Sequence, residues 1–85
     1  MTELSRRLGE AIKLVRERRG LSQESLAAQA GVHRSTVLNA ENDLSPKSGP
    51  TLDTVERLAR GLNLNPSDLI AYADGSEDPD EDGEG

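Results

Sequence analysis

From Leu4 to Tyr72 the apolar residues return every third or fourth position, and nowhere does the chain sustain an apolar–polar alternation. That spacing gathers apolar side chains on one face of a helix and scatters them over both faces of a strand. The expectation is an all-α fold. Tyr72 is the only aromatic residue among 85, so the core must come from Leu, Ile, Val and Ala, which suits thin helices packed closely.

Local signals divide the chain into five helices. In the first, Leu4, Leu8, Ala11, Ile12 and Val15 share a face, with Thr2 as N-cap and Glu3 in the first turn. Arg16, Arg18 and Arg19 suit its C-terminal end, and Gly20 can stop it in the left-handed conformation. Ser22 caps a second helix that buries Leu26, Ala27 and Ala30 and ends at Gly31. A third follows at once, from roughly His33 to Asn42, with Val37, Ala40 and Glu41 inward. The stretch 42–50, NDLSPKSGP, is a loop by composition. Thr51 caps a fourth helix with Leu52, Val55, Leu58, Ala59 and Leu62 on one face, closed by Asn63. Asn65-Pro66-Ser67-Asp68 reads as the start of a fifth, which carries Leu69, Ile70 and Tyr72.

Charge is divided unevenly. The net charge of −6 comes from a C-terminal stretch, 74–85, with seven acids and no base; residues 1–73 hold nine acids and ten Lys/Arg. A segment of Asp, Glu, Gly, Ser and Pro cannot bury enough apolar area to offset its ordering entropy. We therefore expect a folded unit over 1–73 and a disordered acidic tail over 74–85. A unit of that size is marginal alone. Leu62, Leu64, Leu69, Ile70 and Tyr72 crowd the end of it, too many apolar groups for all to turn inward, so they are the expected homodimer interface.

Several classes of function lose their chemistry here. With no cysteine, disulfides, thiolate zinc sites and cysteine nucleophiles are excluded. One histidine, His33, argues against a His-rich metal site or a Ser-His-Asp hydrolase. No paired catalytic groups, phosphate loop or metal-ligand spacing is present, so neither an enzyme, a cofactor nor a small-molecule ligand is implied. No apolar run approaches the roughly 18 residues of a membrane span, and no apolar segment follows the N-terminus as a secretory signal requires, so the cytoplasm is the expected location.

The stretch from Ser22 to Glu41, SQESLAAQAGVHRSTVLNAE, is the informative one. Two short helices joined through Gly31-Val32 must cross steeply, and small Ala27 lets them approach. The outer positions of the second are His33, Arg34, Ser35, Thr36 and Asn39, in place of the Glu/Lys mixture of an ordinary solvated face. A helix fits the DNA major groove, where Arg and Asn pair bidentately with guanine and adenine. Periodicity alone leaves a second reading open: a tight corner in a bundle with no nucleic-acid role.

These residues carry a resemblance. Ile12 and Arg16, Arg19-Gly20-Leu21-Ser22-Gln23, Leu26-Ala27, Gly31-Val32, Arg34-Ser35-Thr36-Val37, Glu41, Pro50-Thr51-Leu52, and Leu58-Ala59 with Leu62 stand in the order and spacing of the Cro/repressor (XRE-like) helix-turn-helix family. The resemblance implies a five-helix domain that binds double-stranded operator DNA as a homodimer and regulates transcription. It implies that Gln23 contacts a phosphate and braces the recognition helix. Arg34, Ser35 and Asn39 match base-facing positions, and His33 and Thr36 match positions touching backbone or bases. Arg16 and Glu41 match a largely buried structural ion pair. With so little positive charge, phosphate contacts fall to amides and to hydroxyls such as Ser22, with Lys47 as a loop contact.

The sequence also departs from the family. His33 stands where Ser or Thr is usual, Asp43 replaces a common glycine, and the loop to Pro50 is longer than usual. Leu38 replaces a polar residue, leaving it to touch a thymine methyl or to pack against a neighbour. The His33-Arg34 pair is similar to some restriction–modification controllers. A protein-binding module of the same fold, such as an antitoxin or adaptor, is the rival reading.

Overall fold

A computed structural model describes residues 3–42 and 51–75. Among them are five helices and no strand: α1 (Glu3–Arg18), α2 (Gln23–Ala30), α3 (Arg34–Asn42), α4 (Leu52–Gly61) and α5 (Pro66–Ala73). The expected cap at Thr2, the loop positions 43–50 with Lys47, and positions 76–85 of the acidic tail lie outside the described residues. So does the side chain of Leu4.

The helices close a ring of packing. α1 lies against α3 and α5, α2 against α3 and α4, and α4 against α5. Ile12, Val15, Leu26, Val37, Leu58, Leu62 and Leu69 fill the middle as fully buried side chains, and every helix supplies at least one. Fully burying such a side chain contributes about 1.5–3 kcal/mol, so this aliphatic set is the main stabilising element.

The local signals act where the sequence places them. The Ser22 and Thr51 hydroxyls accept the Ser25 and Thr54 amides at 3.0 and 3.1 Å. Gly20 and Asn63 take positive φ, 70° and 64°, just beyond α1 and α4. Asn63 tolerates that region because its short polar side chain lowers the steric cost. Asn65 occupies the N-cap of α5 but makes no side-chain cap bond; its amide approaches the Asp68 carboxylate instead, at 3.4 Å.

Two expectations require correction. Leu52 is 78% exposed rather than on the core face of α4. It sits at the first helical position, and the buried residues of α4 begin one turn later at Val55. Periodicity fixes a helix face but not how far neighbouring helices extend along it. Leu62 and Leu69 are wholly enclosed in this chain's own core, so they have no surface to offer a second copy. Leu64, Ile70 and Tyr72 are half-buried against that core and keep an outward edge.

Two helix crossings depend on glycines that periodicity does not single out. A Cβ on Gly9 of α1 would meet the α3 backbone, at 2.8 Å from the Glu41 carbonyl oxygen. A Cβ on Gly61 of α4 would lie 2.9 Å from Leu26 Cδ1 and 3.1 Å from the Ala30 amide nitrogen of α2. The absence of side chains at these points lets α1 approach α3 and α4 approach α2.

Candidate nucleic-acid interface

The geometry begins at the turn between α2 and α3. Gly31 has φ 72° and ψ 35°, the left-handed conformation in which a Cβ is strained. Its amide donates to the Ala28 carbonyl at 3.3 Å, and the Val32 amide reaches back to Ala27 at 3.0 Å. These bonds satisfy the last carbonyls of α2 and turn the chain sharply. The Thr36 amide then bonds the His33 carbonyl at 2.9 Å, starting α3.

Position along α3 decides which side chains face out. Val37, Ala40 and Glu41 are buried, binding the helix to α1 and α2. His33, Arg34, Ser35 and Asn39 are exposed, and Thr36 and Leu38 are half-buried at the margins. Among the described residues, the Arg34, Ser35 and Asn39 side chains have no hydrogen bond or ion pair within the chain. Their donors and acceptors face solvent on a helix whose other side is fixed.

That fixing is chiefly electrostatic at one end. Arg16 Nε donates to Glu41 Oε2 at 2.6 Å and Nη2 to Oε1 at 3.2 Å, while Nη1 donates to the Leu21 carbonyl at 2.8 Å. Gln23 Nε2 donates to Glu41 Oε1 at 3.1 Å. The two-point Arg–carboxylate contact fixes both planes. One buried carboxylate thus ties the last turn of α1 and the start of α2 to the end of α3, and Arg16 adds the loop before α2. Gln23 keeps a second amide hydrogen for another acceptor.

The remaining expected positions divide clearly. Ser22 is at the exposed start of α2, where its hydroxyl also donates to Ser25 Oγ at 3.0 Å. It therefore stands beside the α2 amides that have no partner earlier in the helix. Ser22 and Gln23 begin α2, Glu41 at the end of α3 bonds Gln23, and His33 to Asn39 continue along the outer side of α3. Lys47 lies outside the described residues.

Arg19 has a long-range role beyond its expected place at the end of the first helix. Arg19 Nε donates to the Leu62 carbonyl at 2.7 Å, tying the end of α1 to the end of α4. Its partner is a backbone atom 43 residues away, and no local pattern signals that. On α4, Arg57 and Arg60 pair with Asp53 and Glu56 one turn back, at 3.0 and 2.8 Å. Among the described residues no group of His, Asp or Glu could hold a metal ion, and no helix is long and apolar enough to cross a membrane.

Comparison with known proteins fits this arrangement. Residues 12–69 match the helix-turn-helix family. The crystal structure of the restriction-modification controller protein C.AhdI from Aeromonas hydrophila is similar, with a TM-score of 0.67 and 31% sequence identity. The similarity covers 75% of this chain and 92% of that one. No curated protein matches the sequence. The family is one of DNA-binding regulators rather than enzymes. With its aliphatic core, left-handed Gly31 turn and outward-facing α3, the chain belongs to the Cro/repressor (XRE-like) helix-turn-helix family of DNA-binding domains.

Proposed function

We propose that this protein is a sequence-specific transcriptional regulator of the cytoplasm that binds a near-palindromic operator as a homodimer, with α3 in the major groove. The observation that carries the reading is the pairing of opposites on α3: one side is locked by Val37, Ala40 and Glu41, and the other carries unengaged Arg34, Ser35 and Asn39. Arg34 and Asn39 address guanine and adenine edges, and Ser35 either base type. His33 and Thr36 touch backbone or the flanking bases. Ser22, the second Nε2 hydrogen of Gln23 and the first amides of α2 hold a phosphate. Lys47 supplies a further phosphate contact.

The half-buried edge of Leu64, Ile70 and Tyr72 is the surface we assign to dimerisation. A two-fold axis there sets recognition helices roughly 34–36 Å apart, so half-sites fall about one DNA turn apart. Likeness to a protein described as a restriction-modification controller favours that kind of regulator. Selection from a random duplex library, followed by sizing of the complex, tests the proposal. The expected product is an inverted repeat bound by two chains. Failure to enrich any sequence refutes it and favours a protein-binding module.

A further inference from the structure

Leu38 is the one leucine on the outward side of α3. The inward stripe is Val37, Ala40 and Glu41, and the α3 members of the buried core are Val37 and Ala40. Leu38 stands beside that stripe and is half-buried, one turn after Arg34. It is not one of the partly buried apolar residues packed against the core, so its side chain is left among residues that otherwise form hydrogen bonds. The next polar group along that edge is turned away: Asn42 Nδ2 donates to the Leu38 carbonyl at 3.1 Å, so the amide folds onto its own helix.

We propose that Leu38 reads a thymine methyl group, within one or two base pairs of the base that Arg34 addresses. The proposal rests on the DNA-binding function above and assigns a specificity residue to the same surface. In the major groove thymine alone among the four bases presents a methyl group, and apolar side chains recognise it by contact. An isobutyl group gains apolar contact from that methyl and nothing from cytosine at the same place. Four helical residues advance about 6 Å along the axis. Base pairs are stacked about 3.4 Å apart. Arg34 and Leu38 therefore fall on neighbouring or next-neighbouring pairs when the helix lies along the groove.

Operator DNA with each thymine replaced in turn by deoxyuridine, which lacks only the methyl, is the probe. Fluorescence anisotropy with the unaltered full chain should show about a fourfold loss of affinity at one position per half-site, the effect of one buried methyl. Leu38→Ala, shown to be folded by thermal unfolding, should bind the thymine and deoxyuridine operators equally. Insensitivity of the unaltered chain at every thymine overturns the Leu38 assignment and leaves the DNA-binding function standing. A deoxyuridine effect that survives in Leu38→Ala also overturns it, and assigns the methyl contact to another side chain. If no duplex is enriched at all, both readings fall together.

Discussion

Arg16 Nε lies 2.6 Å from Glu41 Oε2, and the two side chains are 10% and 1% exposed. Twenty-five residues separate them, yet their contact decides how α3 is held against α1. The carboxylate has three donors from two side chains, so its desolvation is compensated by good geometry rather than by charge alone.

Removing one side of this pair leaves the other charge buried. Arg16→Ala should destabilise the fold by about 3–5 kcal/mol. Pairing it with Glu41→Gln should recover part of the loss, because the uncompensated charge is gone. Thermal unfolding of the two single variants and the double variant checks this. An Arg16→Ala protein as stable as the parent would contradict a stabilising role for the contact.

At Gly9 two effects oppose one another. Alanine is the better helix former by about 1 kcal/mol. A Cβ at this position, however, would press on the α3 backbone, and an overpacked contact costs typically 1–3 kcal/mol. The backbone carbonyls of Ala40 and Glu41 cannot swing aside as a side-chain tip can, so the clash should dominate. We expect Gly9→Ala to lower the midpoint of urea unfolding; a raised midpoint would show that the α1–α3 crossing has slack.

Leu52 and Leu58 are two leucines of one helix with opposite fates, 78% and 0% exposed. Leu52→Ser should change stability by no more than about 0.5 kcal/mol. Leu58→Ala should cost about 2–5 kcal/mol. Comparable losses from both would mean that Leu52 is covered in solution.

The acidic stretch invites an electrostatic test. Ending the chain after Gly75 removes six carboxylates and no base, raising the net charge from −6 to 0. If those carboxylates compete with DNA phosphate for basic groups, the shortened chain should bind random duplex more tightly, most of all at low salt. Equal affinity for both chains across a salt series would remove the acidic stretch from the account.

Much of this structure is legible in the sequence because much of it is local. Ser22, Gly31, Thr51 and Asn63 act within one turn of their own positions, where residue type and backbone geometry are directly linked. Glu41 is placed inward by the spacing it shares with Val37 and Ala40, whereas its pairing with Arg16 is legible only through resemblance. Relationships across the fold are not legible. The Arg19 bond to the Leu62 carbonyl, the close approach at Gly9 and the exposure of Leu52 depend on how helices meet. Leu62 and Leu69 illustrate the same boundary: an apolar residue near a chain end can serve a core or an interface, and only the packing of α5 on α1 and α4 assigns these two to the core.

The central claim is that the outward side of α3 reads base edges, and Arg34 tests it most directly. Affinities of the parent and Arg34→Ala should be measured on the selected operator and on random duplex at one salt concentration. The account predicts a loss of about 1–3 kcal/mol on the operator, relaxed preference at one base pair, and a distinctly smaller loss on random DNA. Equal losses on both would contradict it, because they would make Arg34 a phosphate contact rather than a reader of sequence.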